Sequence, residues 1–145
     1  MQIYNKQKYH SFLGRNSIMS DTQILLYNFQ DPERLRSIRH YLNKQKISAR
    51  IVQPPEYWEP LGYLFHLPGF TRNSTFHLGG NFHDEMMVLH HFSQEQLDSF
   101  LAFFRNSHLK PVALKAVLTP VTQHWNSIKL YEELSKEHQF YHPDH

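Results

Sequence analysis

Apolar positions along this chain fall into two spacings, and the switch between them coincides with proline, serine or aspartate. Ile24-Leu25-Leu26-Tyr27-Asn28-Phe29 is a short apolar run of the kind a strand buried on both faces carries. Asp31-Pro32 ends it with a helix-start signal, a capping side chain followed by proline at the first helical position. Leu35, Ile38 and Leu42 then recur at helical spacing, while Glu33, Arg34, Arg36, Arg39 and Lys44 fill the other faces. The segment therefore predicts an amphipathic helix lying on a sheet. Ser48 to Gln53 reads as a second strand, stopped by Pro54-Pro55. Tyr57, Leu61, Leu64 and Phe65 predict a short helix, because Pro60 is tolerated only near a first turn.

The second half follows the same plan. Met86 to Phe92 predicts a strand. Ser93 with Gln96 three residues later is a capping box, and Leu97, Phe100, Leu101 and Phe104 form a helical stripe. Val112 to Leu118 predicts a fourth strand closed by Thr119-Pro120, after which Trp125, Ile128, Tyr131 and Leu134 trace a last helix and Tyr141 to His145 a polar tail. Leu26-Tyr27-Asn28-Phe29 aligns with Leu89-His90-His91-Phe92. Leu35, Ile38, Leu42 and Ile47 align with Leu97, Phe100, Phe104 and Leu109 after a one-residue gap. This similarity reads as an internal duplication of residues 23–67 and 85–138, joined by a long loop over 68–84 rich in turn formers. Met1 to Ser20 precedes the first strong apolar run and reads as a poorly ordered extension, leaving one domain over 21–145.

Strands alternating with helices predict a three-layer α/β/α fold on a mainly parallel four-stranded sheet, strand order 2-1-3-4, with the duplicated first strands in the centre. A ferredoxin-like α+β sheet is the alternative. At 145 residues the chain is the size of one domain, and 11 Phe with 8 Tyr argue for a packed core rather than disorder. The absence of Cys removes disulfides, thiol nucleophiles and thiolate metal sites and suits a reducing cytoplasm. A formal charge of +2 gives no strong overall field, so nucleic acid is not an expected partner. No run approaches the ~20 apolar residues that span a bilayer, and no membrane partner is expected.

Ligands in parallel sheets bind at the carboxyl ends of strands. Those addresses single out Asn28 after the first strand, Glu56 after the second, His90 and His91 at the third, and Lys115 and Thr119 around the fourth. Neither a G-x-G-x-x-G nor a Walker-type glycine loop follows any strand, and no cofactor is expected. The 12 His include His77, His83, His90 and His91 close to Asp84 and Glu85. They lack metal-ligand spacing, and neighbouring residues on a strand point to opposite faces, so no metal site is expected. Lys115 lies within an apolar strand, where burial would lower its pKa, although an edge position would leave it in solvent. Thr119 is placed to cap a helix or to touch a ligand. There is no G-x-S-x-G elbow for serine hydrolysis.

Lys115-Ala116-Val117-Leu118-Thr119-Pro120, the following Trp125, and Leu130-Tyr131-Glu132-Glu133-Leu134 resemble the bacterial family called domain of unknown function 3783, over Glu85 to His138. Ile24 to Phe29, Glu33-Arg34-Leu35 and Glu56 to Leu64 resemble what precedes that domain in its short members. Val121-Thr122 departs from the polar residues expected after the Thr-Pro pair. The resemblance implies a bacterial source and a cytoplasmic setting, and it brings no catalytic residue. Two functional readings follow. One is a non-catalytic interaction module, homodimeric or bound to another protein, with Trp58, Phe70 and Phe76 as contact surface. The other is a small enzyme or ligand sensor whose cleft gathers His90 or His91, Lys115 and Thr119 under the 68–84 loop.

Overall fold

The computed structural model describes residues 21–73 and 80–141. The expected extension, part of the long loop with Phe76 and His77, and residues 142–145 lie outside the described residues. Four strands form one sheet in the order β2-β1-β3-β4: β1 (Gln23–Tyr27), β2 (Ser48–Ile51), β3 (Met86–His90) and β4 (Leu114–Val117). β1 pairs with β2, and β3 with β4, in parallel, while the central pair β1–β3 is antiparallel, Gln23 opposite His90 and Tyr27 opposite Met86. The expected strand order is therefore present, but the mainly parallel sheet is a mixed one. The cause lies in the connection. Asn28, just past β1, donates through Nδ2 to the carbonyls of Phe82 and Asp84 at 3.0 and 3.1 Å, so β3 starts at the end of the sheet where β1 stops.

Helices cover both faces, unlike the ferredoxin-like alternative. On one face lie α1 (Pro32–Lys44) and α3 (Gln94–Asn106). Ile38, Leu42, Leu97, Phe100 and Phe104 from these helices bury Ile24, Leu26, Met87 and Leu89 of the central strands. On the other face α2 (Leu61–Leu64) and α4 (Ser127–Tyr141) cover Leu25, Tyr27, Met86 and Val88. Alternate residues of β1 and β3 thus serve opposite cores, which is why both runs read as continuously apolar. Tyr141 belongs to α4 rather than to a tail.

The helix ends carry the signals that the sequence announces. Asp31 accepts from the N–H groups of Glu33 and Arg34, and Ser93 and Gln96 form the reciprocal capping box. α1 and α3 both stop in the Schellman geometry. Ile47 N–H donates to Leu42 O at 2.9 Å and Leu109 N–H to Phe104 O at 2.8 Å, with Lys46 (φ 60°) and His108 (φ 56°) in the left-handed conformation usually given to glycine. At Gly62 the absence of a side chain is used instead for contact, since a Cβ there would sit 2.5 Å from the Phe70 ring.

Phe100 is fully buried between the rings of Tyr41, Phe92, Phe103 and Phe104. Phe100→Ala is expected to lower unfolding free energy by about 3–5 kcal/mol, read as a shifted urea midpoint at constant slope.

Candidate functional site

The antiparallel centre divides the expected strand-end cleft in two. β1 and β2 end on one side of the sheet, β3 and β4 on the other. Asn28 and Glu56 therefore cannot share a site with His90, His91 and Thr119.

At the first end, Asn28 adopts φ 62°, a conformation that Asn tolerates better than most residues. Its Nδ2 holds the Phe82 and Asp84 carbonyls, and its Oδ1 accepts from the Tyr57 hydroxyl at 3.0 Å. Next to it the fully buried Tyr27 hydroxyl is 2.7 Å from Ser127 Oγ at the start of α4. Tyr57, Phe82 and Tyr131 stack at centroid distances of 4.7 and 4.3 Å. Burial pushes the Tyr27 and Tyr57 phenols above their ordinary pKa, so both stay neutral. Glu56 closes a reciprocal box, accepting from Gln53 N–H at 3.0 Å, and pairs with Arg50. Arg50 also donates to Leu64 O at 3.2 Å, so Glu56 and its partner tie the end of β2 to α2.

At the second end, β3 stops at His90 and His91 takes φ 64°. This left-handed residue breaks the strand alternation. The two imidazoles stack at 3.8 Å, where sequence periodicity had them on opposite faces. His90 also packs on Phe65 at 5.1 Å, and His91 Nδ1 meets Asp21 Oδ2 at 2.9 Å. Desolvation, and then repulsion from His91, pulls the His90 pKa down to about 4, with Asp21 opposing the shift. Thr119 lies beyond β4 at this end, and its reciprocal bonds with Thr122 (2.9 and 3.0 Å) cap the short 3-10 turn that precedes α4.

Lys115 joins neither end. Its half-buried ammonium donates to Val112 O at 2.9 Å, back along β4, and burial lowers its pKa. The convergence of Lys115 with His90 and Thr119 expected of a catalytic cleft is thus absent. Trp58 and Phe70 are half-buried rather than exposed: Trp58 lies against Gly80, and Phe70 lies over Gly62 and meets the His124 ring in a tilted contact at 5.2 Å. Among the described residues no group of three or more His, Asp or Glu could hold a metal ion, and no helix is long and apolar enough to cross a membrane.

Tyr27 and Ser127, which make a buried contact at the first end, Tyr57 beside them and Asp21 at the second end are not singled out by the sequence. No local motif marks them. Tyr27 and Ser127 are 100 residues apart in the chain.

Asn28→Ala removes three hydrogen bonds and leaves a left-handed alanine. A loss of about 1–3 kcal/mol in chemical denaturation is expected. For His90 the folded pKa lies below the unfolded value of 6.5, so the unfolded chain binds more protons between pH 6.5 and about 4. The stability linked to this group is therefore present above pH 6.5 and lost as pH falls toward 4. Denaturation across that window should show a shallower decline for His90→Gln, and NMR titration should place the His90 midpoint well below those of exposed histidines.

Comparison with known proteins places part of this architecture. No curated protein and no solved structure matches the chain. The family model of a domain of unknown function, DUF3783, matches residues 85–141. That match begins one residue before β3 and ends with α4, taking in one complete β-α-β-α unit. Over residues 85–141 the chain is therefore similar to the DUF3783 domain, and the similarity covers its second half.

Proposed function

We propose that this protein is a non-catalytic interaction module of the bacterial cytoplasm, built from two copies of one β-α-β-α unit, which presents its outer surfaces to protein, a second copy or another chain. The observation that carries this reading is how the strand-end polar groups are used. Asn28, Glu56, Lys115 and Thr119 each bond to backbone or to a capping partner, and none is aimed into a shared cleft. Groups spent on holding the chain are poorly placed to do chemistry on a ligand.

The duplication is supported by matching details. Asn28 and His91 are both left-handed just past β1 and β3, and Lys46 and His108 both follow their helices in that conformation. The Gln53–Glu56 box recurs as Thr119–Thr122 at the same place after β4. Pro60 and Asn126, one residue before α2 and α4, pair with each other in an isolated antiparallel bridge. With the two inner strands paired, the sheet presents β2 and β4 as its only edges among the described residues.

The ligand-sensor reading retains one supporting feature, the half-buried stack of His90 on His91 beside Asp21. A thermal-shift screen against divalent metals, nucleotides and phosphorylated metabolites separates the two. A ligand at a hundredfold excess over its dissociation constant would stabilise the fold by about 2.7 kcal/mol. The interaction module should give no saturable shift. A saturable shift abolished by His90→Gln or Thr119→Val would establish the sensor instead.

A further inference from the structure

Among the described residues β2 is an edge strand with an unpaired outer rim. Ser48 N–H donates to Thr22 O and Val52 N–H to Leu26 O, both at 3.0 Å, so residues 48, 50 and 52 point their backbone groups at β1. In a parallel ladder the intervening residues, Ala49 and Ile51, then direct theirs outward. Beside this rim, between α1 and β2, runs an open groove of about 690 Å³. Leu35 and Ala49 line it together with Arg36, Arg39, His40 and Asn43.

The charge here is one-sided. From Arg34 to Arg50 the sequence contains no acidic residue. Arg34 and Arg50 are matched by Glu85 and Glu56, but Arg36 has only an exposed pairing with Glu33, and Arg39 makes no ion pair among the described residues. Lys44 and Lys46 are exposed at the same end of α1. The corresponding helix α3 carries Glu95 and Asp98 as well as Arg105, so the architecture itself does not require a basic groove. Exposed arginines are ordinarily just solvated, yet here they flank a free strand edge, where main-chain bonds can supply affinity and side-chain charge can supply selection.

We propose that the α1–β2 groove receives an extended acidic segment of a partner protein, which adds to the sheet as a strand beside β2. This deepens the interaction-module reading and rests on it. The chain's own first 20 residues do not suit the role, since they carry Lys6, Lys8 and Arg15 and no acidic residue.

The test is fluorescence anisotropy of the full chain with a labelled peptide of alternating glutamate and valine, alongside a lysine–valine peptide and a single-stranded oligonucleotide. The acidic peptide should bind, weaken as salt rises, and bind on the order of tenfold or more weakly to the Arg36→Glu/Arg39→Glu variant. Ala49→Pro, which removes one outward N–H at a position where an edge strand accepts proline, should weaken binding while leaving the melting temperature near that of the parent. No binding of the acidic peptide, equal binding by the variants, or tighter binding of the oligonucleotide through the same arginines would overturn the proposal. A saturable small-ligand shift would sink the module reading itself. Partner association that survives the arginine reversal would sink this groove alone.

Discussion

The antiparallel pairing of β1 with β3 is the constraint on which the other features rest. Ile24, Leu25 and Leu26 lie against Met87, Val88 and Leu89, all of them within 1 % of complete burial, with an apolar layer above and another below. A pair so placed cannot slip by one residue without exchanging the two cores, because each side chain would move to the opposite face. The pairing also fixes where chemistry could sit. Strands that run in opposite directions end on opposite sides, so residues that a parallel sheet would gather are held a sheet's length apart.

Each end is then closed by side chains acting on backbone. Asn28 uses its whole amide to join the end of β1 to the segment entering β3 and to Tyr57, and the Tyr27–Ser127 pair joins the same strand to α4. Among the described residues no buried side-chain nitrogen or oxygen lacks a partner. That matters because an unsatisfied buried polar group costs about 1–3 kcal/mol, whereas a bonded one is close to neutral or mildly favourable. The two phenols, kept neutral by burial, are suited to this duty and poorly suited to acid–base catalysis near neutral pH.

Much of this fold was legible in the sequence for reasons that are local. Asp31-Pro32 and Ser93 with Gln96 start helices because their side chains meet N–H groups two or three residues away, and the four strands follow from apolar runs between such signals. Strand direction was not legible. It follows from where the chain returns after β2, at the end of the sheet where β1 stops, a return marked by Asn28 bonding to Phe82 and Asp84 more than 50 residues along the chain. The His90–His91 contact escaped for a related reason: strand alternation stops at a left-handed residue, and histidine, unlike glycine, gives no warning of one. Lys46 and His108 hide two helix ends in the same way. Asn28, Glu56, His90, His91 and Thr119 lie at or just past strand ends and Lys115 within β4, and spacing could not tell that the polar atoms of Asn28, Glu56, Lys115 and Thr119 bond to the chain itself.

The two sheet edges, finally, are treated differently. In β4 the outer rim includes Lys115, whose side chain folds back to the Val112 carbonyl and puts a charge on the edge, a common way of discouraging another strand from pairing there. By position after the inner strand, Ala49 stands in β2 where Lys115 stands in β4: Ile24 pairs with Ala49 and Met87 with Lys115. Ala49 carries no such block, the neighbouring Arg50 is paired with Glu56, and Arg36 and Arg39 stand back on α1 across the groove. A charge set on the strand itself would have to lose water to any incoming strand, whereas charge set across a groove repels a basic one and attracts an acidic one. The arrangement at β4 therefore closes an edge, and the arrangement at β2 selects what may approach it.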